Sequence, residues 1–159
     1  MRNKKVLLIT QAAVIAAIYV VLTMFINAFN LASGNIQVRI SEALCILPFF
    51  TPAAVPGLFI GCFISNMVGP YGAVDMICGS AATLIAAVLT YKLKDKTWLA
   101  PLPPVILNGV IIGGMLHYAY GVPNLAACMA WVALGEAAAC YALGVPLIKL
   151  LGKYNKIFE

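Results

Sequence analysis

The sequence predicts an all-α membrane protein, a single domain over residues 1–159 with six transmembrane helices and both termini in the cytoplasm. Of its 159 residues, 64% are hydrophobic and only 9% are charged, and the mean hydropathy is +1.00. A soluble domain has about 25% charged residues, so this chain lacks the polar surface that a water-soluble globule needs. The lipid bilayer is therefore the expected solvent, and at about 20 residues per span the chain has room for six or seven helices.

Three clusters of basic residues determine how many spans are expected. Nine of the ten lysine and arginine residues lie in these clusters, and the net charge of the chain is +5. Basic residues beside membrane spans stay in the cytoplasm, so an even number of spans must separate successive clusters. Four spans fit between the first two clusters and two between the last two, whereas a total of five or seven would export a cluster. The clusters are Arg2, Lys4 and Lys5; Lys92, Lys94 and Lys96; and Lys149, Lys153 and Lys156.

The first two spans are expected over residues 6–29 and 36–50. The first is longer than the apolar core of a cleavable signal sequence, which has about 7–15 residues, so it is expected to remain as a helix. The second is short and stops at Pro48, which suits a tilted helix or the wall of a cavity. Small residues spaced four apart give the first span a flat face for close helix contact; they are Ala12, Ala13, Ala16 and Ala17.

The remaining spans are separated by turns rich in proline and glycine. Residues 51–56 are expected to form a turn, and the third span carries a ridge of small residues for tight helix packing. Span three is expected over residues 57–68, span four over 73–91, span five from after Pro104 to Tyr120, and span six over 125–151.

Four charged residues lie within or at the mouths of the apolar segments, away from the basic clusters and their neighbours. An ionised group at the bilayer centre costs roughly 2.5–3.5 kcal/mol, so such residues usually mark a site. The six-span topology places most of the polar groups in the outer half of the bundle, which predicts a binding pocket that faces outward and has a closed floor. Arg39, Glu42, Asp75 and His117 are expected at the outer mouth, Asn66 at the outer end of span three, and Asn108 and Glu136 deeper.

The three most informative charges each have a structural interpretation beside the functional one. Glu136 is either a ligand contact or a carboxyl that burial keeps neutral or that pairs with Arg39. Since no basic residue is near it in sequence, the ligand role is favoured. Arg39 and Glu42 are one helical turn apart, so they either pair with each other or contact a solute at the pocket mouth.

The remaining candidates also have alternatives. Asp75 either contributes to the site or complements the dipole at a helix N-terminus. Asn108 binds either a ligand or a neighbouring helix, and His117 is expected at the membrane interface. Trp131 and Tyr118 either stack on a planar solute or belong to the aromatic belt.

No pattern in the chain points to catalysis. There is no metal-ligand spacing, no G-x-S-x-G turn, no Walker loop and no C-x-x-C pair, so neither a cofactor nor a metal is expected. The five cysteines are scattered and are expected to be small packing residues. The basic clusters suit an anionic membrane surface better than a nucleic acid.

Several short stretches together resemble one family of membrane proteins. The run Val-Arg-Ile-Ser-Glu-Ala-Leu at residues 38–44, followed by Leu47-Pro48, is similar to the signature of the QueT family. That family belongs to the substrate-capture (S) subunits of energy-coupling-factor (ECF) vitamin transporters. Similar stretches occur at residues 61–69 with Ser65-Asn66, at 75–80 and at Gly135-Glu136, so the resemblance covers essentially the whole chain.

The resemblance implies that the chain is the substrate-binding subunit of an ECF-type importer and is not an enzyme. The implied substrate is a queuosine precursor, either queuine or a related 7-deazaguanine base. It also implies a scaffold transmembrane subunit and two cytoplasmic ATPases as partners, with the four-alanine face of the first span docking on the scaffold. The candidate substrate-binding residues are Glu136, Arg39, Glu42, Asn108, Asp75, Asn66, Trp131 and Tyr118.

Two rival functions stay open at the level of sequence. An S subunit for another vitamin would have the same fold, since the pocket and not the fold selects the solute. A small integral membrane enzyme would need a reactive cluster at one interface, and the sequence offers none.

Overall fold

The computed structural model describes residues 3–28, 40–69, 72–154 and 158, and all of its regular secondary structure in these ranges is helical. The prediction of an all-α fold with six helices is therefore confirmed for this part of the chain. The helices are α1 (Lys4–Ala28), α2 (Ile40–Phe49), α3 (Ala54–Val68), α4 (Gly72–Lys92), α5 (Leu102–Tyr118) and α6 (Leu125–Gly152).

Three of these helices, α1, α4 and α6, are long and apolar enough to cross a membrane, and the other three are shorter but also apolar. Large apolar side chains cover much of the outer surface, for example Ile9 at 70% exposed and Val21 at 65%. Such a surface is unfavourable in water and suits contact with lipid tails. Length and surface composition together identify a membrane protein.

Two helix boundaries differ from those expected, and proline explains both. α3 begins at Ala54, so the turn predicted over residues 51–56 is wrong in its second half, and Pro56 lies in the first turn of the helix. α5 likewise begins at Leu102, before Pro104, and ends at Tyr118. The first turn of a helix tolerates proline because the N–H groups there have no partner within the helix.

Two helices depart from regular α geometry. α2 is a 3-10 helix of ten residues that contains Pro48, although runs of this kind rarely exceed about four residues. The predicted start of span two, including Arg39, lies outside the described residues. α6 contains a π-helical segment, Ala138–Gly144, in the middle of its length.

Close contacts between glycines and neighbouring helices give the directions of the helices. A Cβ atom on Gly57 would lie 2.8 Å from the Ala12 carbonyl oxygen, and one on Gly61 would lie 2.8 Å from Tyr19 Cβ. Successive turns of α3 thus meet successive turns of α1, so the two helices run parallel and nearly touch along their backbones. The small-residue ridge predicted for span three has this packing role.

Two other neighbouring pairs run antiparallel. In the α3–α4 pair, Asn66 contacts Asp75 while Thr83 contacts Cys62, so the order of contacts is reversed. In the α5–α6 pair, Gly109 lies against Ala133 and Gly113 lies against Met129, again in reversed order.

The helix directions bring basic residues from all three clusters to one end of the bundle. Lys4 begins α1, Lys92 ends α4 and Lys149 lies in the last turn of α6. The largest buried apolar cluster lies where α1, α2, α3 and α6 meet, around Tyr19 and Ile46. The smaller cluster includes Ile112, Met115 and Val132 of α5 and α6.

Candidate functional site

A small cavity lies among α2, α4, α5 and α6, and it collects polar side chains that are far apart in sequence. Its volume, measured as the space open to the centre of a water molecule, is about 10 Å³. This is roughly the space that one buried water needs. The cavity is lined by Glu42, Gly79, Thr83, Asn108, Ile112, Val132 and Glu136.

Glu42 of α2 is 2% exposed and each of its carboxylate oxygens contacts a donor. The hydroxyl of Tyr19 on α1 donates to Oε1, and the thiol of Cys45 lies 2.9 Å from Oε2. An unsatisfied carboxylate in a site shielded from water is very unfavourable, so these donors stabilise Glu42 where it lines the cavity.

Glu136 of α6 lies across the cavity in a similar arrangement. Asn108 Nδ2 on α5 donates to Glu136 Oε1 at 2.6 Å, and the Cys140 thiol lies 3.7 Å from Oε2. The same thiol is 3.4 Å from the backbone oxygen of Glu42, so it also joins α6 to α2. Each acid therefore has one strong donor from another helix and a cysteine one turn further along its own helix.

The π-helical segment explains how α6 approaches α2 next to the two acids. Gly144, at its end, packs so closely on α2 that a Cβ atom would lie 2.9 Å from Ile46 Cγ2. The segment begins two residues after Glu136 and contains Cys140. Single π turns inside α-helices occur frequently at functional sites, because the extra residue changes the direction of the side chains.

The chemistry of this cluster suits a solute with several hydrogen-bond donors. Ionised carboxylates only accept hydrogen bonds, whereas the Asn108 amide both donates and accepts. No group of three or more His, Cys, Asp or Glu side chains in the described part of the chain is arranged to hold a metal ion. The cluster therefore presents two carboxylates as acceptors beside one amide that can both donate and accept.

A second polar cluster, between α3 and α4, adjoins the cavity through Gly79. Asn66 Nδ2 donates to the Asp75 backbone oxygen at 3.1 Å and lies 3.4 Å from Cys62 Sγ. Asn66 and Asp75 are 4% and 2% exposed, but neither lines the cavity. In this structure Asn66 links α3 to α4, and Asp75 is buried in the first turn of α4.

The aromatic candidates lie apart from the cavity. Tyr118 is 79% exposed at the end of α5, where its ring packs edge-on against His117 at 4.9 Å. Trp131 is 45% exposed on α6 and does not line the cavity. The structure therefore brings together Glu42, Asn108 and Glu136, but not the two aromatic residues.

The four-alanine face of α1 is divided between an internal contact and the surface. Ala16 is buried and Ala12 is half-buried against α3, whereas Ala13 and Ala17 are exposed. An apolar groove of about 540 Å³ runs beside this face, between α1 and the start of α3. Its lining residues are Leu8, Ile9, Ala12, Ala13, Ala16, Pro52, Ala53, Pro56 and Ile60.

Sequence reasoning missed four residues that surround the two acids: Tyr19, Cys45, Thr83 and Cys140. Cys45 and Cys140 follow Glu42 and Glu136 by three and four residues, which is a helical spacing that the sequence shows. The cysteines were expected only to fill space, yet two of them contact carboxylates. Tyr19 carried no signal, because its partner is 23 residues away on another helix.

Comparison with known proteins gives two matches. The family model described as QueT transporter matches residues 9–153 of the chain. A curated relative from Lactococcus lactis subsp. cremoris (strain MG1363), named queuosine precursor transporter QueT, is 36% identical over 96 residues. These residues are 60% of this chain and 56% of the relative, so the match spans just over half of the relative's length. No solved structure matches the chain.

Proposed function

The chain belongs to the QueT transporter family, and from this premise we propose that it captures a queuosine precursor for import through the membrane. The name of the Lactococcus relative supports this class of substrate. Because the family is one of transporters, the rival interpretation as a small membrane enzyme is not supported.

The observation that carries the proposal is the convergence of Glu42, Glu136 and Asn108 on one cavity. A 7-deazaguanine base presents N–H donors along one edge, and a carboxylate is a strong acceptor for them. The base also has a carbonyl oxygen, which accepts from an amide such as that of Asn108. An amine on the substituent of the base would be a cation, and the second carboxylate would bind it.

The cavity must open for such a base to enter. Pockets for small organic ligands measure roughly 300–1,000 Å³, far more than the 10 Å³ between these helices. Binding therefore separates α5 and α6 from α2 and α4, and the base replaces contacts among the polar side chains. The contact of the Cys140 thiol with the Glu42 backbone oxygen joins α6 to α2, so it must break when these helices separate.

The proposed topology has both termini and all three basic clusters in the cytoplasm, and the substrate enters from the outside. Two observations support this topology. Basic residues beside membrane spans stay in the cytoplasm, and Lys4, Lys92 and Lys149 lie at the same end of the bundle. The chain carries no nucleotide-binding motif, so the proposed importer includes a scaffold transmembrane subunit and two cytoplasmic ATPases. The exposed Ala13 and Ala17 form the surface that docks on the scaffold.

A binding screen on the purified chain tests this function. We expect queuine or its aminomethyl-7-deazaguanine precursor to bind without ATP, and guanine, thiamin and riboflavin to bind at least tenfold more weakly. Isothermal titration calorimetry in detergent gives the dissociation constants. Tight binding of thiamin or riboflavin with no deazaguanine binding would contradict the substrate and would identify an S subunit for another vitamin.

A further inference from the structure

We propose that Tyr19 is a positioning residue, which fixes the Glu42 carboxylate in the orientation that receives the substrate. This inference rests on the proposed function, because it assigns a role at the same site. Tyr19 lies on α1 and does not line the cavity, so it acts through Glu42 and not by touching the base.

The contacts of Glu42 determine the plane of its carboxylate. Oε1 accepts from the Tyr19 hydroxyl on α1, and Oε2 contacts the Cys45 thiol one turn along α2 itself. Two contacts on different oxygens remove the freedom of the carboxylate to rotate about its last bond. A carboxylate has about four acceptor positions, so Glu42 keeps capacity for the N–H groups of a substrate.

Tyr19 is itself held firmly in place. Its side chain is 1% exposed, and Gly61 of α3 provides the space for it, since a Cβ atom there would lie 2.8 Å from Tyr19 Cβ. One turn further along α1, Thr23 Oγ1 is 2.9 Å from the Tyr19 backbone oxygen and 2.8 Å from Ser41 Oγ of α2. The hydroxyl of Tyr19 is therefore presented to Glu42 by a rigid contact between α1 and α2.

Preorganisation of this kind strengthens binding, because the acid does not have to be ordered when the base arrives. The Tyr19 hydroxyl is also the stronger of the two donors to Glu42, since a thiol is a weak donor. If the Tyr19 hydroxyl were removed, the Cys45 thiol would be the one of these two donors that remains. The Glu42 carboxylate could then rotate within its site.

The test compares Tyr19→Phe with Tyr141→Phe in the full chain. Tyr141 is a matched control because its hydroxyl donates to the Trp98 backbone oxygen at 3.1 Å, away from the cavity. We expect Tyr19→Phe to raise the dissociation constant for aminomethyl-7-deazaguanine about tenfold, and Tyr141→Phe to leave it unchanged. Both variants are checked by thermal unfolding to verify that they are folded.

Two further readouts separate positioning from a general effect on packing. In a double-mutant cycle with Glu42→Gln, Tyr19→Phe should weaken binding much less than it does in the wild type, because the partner has already been changed. In infrared spectra, the carboxylate band that Glu42→Gln removes should shift in Tyr19→Phe and stay in place in Tyr141→Phe. If Glu42→Gln abolishes measurable binding, or if Tyr19→Phe does not fold, the infrared band is followed in a chain with 3,5-difluorotyrosine at position 19.

The outcomes distinguish failure of this inference from failure of the proposed function. If the wild type binds no deazaguanine, the proposed function is wrong. If the wild type binds and Tyr19→Phe binds equally well, or if the band of Glu42 does not respond to the change at position 19, Tyr19 is a packing residue and the inference is overturned.

Discussion

Replacing Glu136 by Gln is expected to weaken binding of a queuosine precursor roughly ten- to hundredfold, while the protein stays folded and inserted in the membrane. Hydrogen bonds to charged groups are worth about 1.5–3 kcal/mol, which corresponds to this loss of affinity. The glutamine side chain keeps the shape of Glu136 but puts a donor where the carboxylate has an acceptor. That donor would face the N–H groups of the base or the Asn108 amide, which is 2.6 Å away in this structure.

Asp95→Asn is the matched control, because it makes the same chemical change at an exposed position in the loop between α4 and α5. We expect it to change neither the dissociation constant nor the melting temperature. A purely structural role for Glu136 predicts the opposite pattern at that position, namely unchanged affinity with altered stability. That result would remove Glu136 from the binding site and leave Glu42 as the carboxylate of the cavity to test.

The double substitution Ala13→Leu and Ala17→Leu is expected to abolish uptake in cells and leave substrate binding by the purified chain unchanged. Both alanines are exposed on α1, whereas Ala12 and Ala16 face α3. Two leucines would keep another helix from approaching α1 as closely as small residues allow. The measurements are uptake of labelled base by cells and the dissociation constant of the purified variant.

Ala81→Leu serves as the control for added bulk, since Ala81 is an exposed alanine on α4. It should leave uptake near the wild-type rate when both proteins are present at equal levels. Normal uptake by the double variant would show that Ala13 and Ala17 are not a docking surface. Loss of binding by the purified double variant would mean that the substitutions disturb the fold.

The number of helices could be predicted from the sequence because charge and hydrophobicity constrain it strongly. All three basic clusters are expected in the cytoplasm, so an even number of helices must lie between successive clusters. Turns rich in proline and glycine then divide the apolar sequence into six segments. The expected helix starts were wrong at two prolines. Pro56 and Pro104 lie inside the first turns of α3 and α5, where proline is compatible with a helix.

The polar cluster was predictable in part. Glu42, Asn108 and Glu136 stood out because polar side chains are expensive inside a membrane, and the structure brings all three to one cavity. The role of Tyr19 was not predictable, because a tyrosine in an apolar helix has many possible partners. Its contact with Glu42 depends on how α1 crosses α2, which no local pattern encodes.

The division of the alanine face shows another limit of sequence reasoning. Ala12 with Ala16 and Ala13 with Ala17 form two adjacent stripes that are equally small and apolar. Only the packing of Gly57 and Gly61 against α1 decides which stripe is internal. The same limit applies to Trp131 and Tyr118, whose aromatic rings could stack on a planar solute. Only the structure shows that their side chains are exposed and lie apart from the cavity.

The position of the bound base tests the proposed site most directly, and a structure of the chain with aminomethyl-7-deazaguanine would locate it. We expect the base between α2, α4, α5 and α6, with its N–H groups on the carboxylates of Glu42 and Glu136 and its carbonyl oxygen near Asn108. The cavity should be larger than 10 Å³ in that complex. A base bound elsewhere, for example in the apolar groove between α1 and α3, with neither carboxylate in contact with it and Asn108 still bonded to Glu136, would contradict the proposed site.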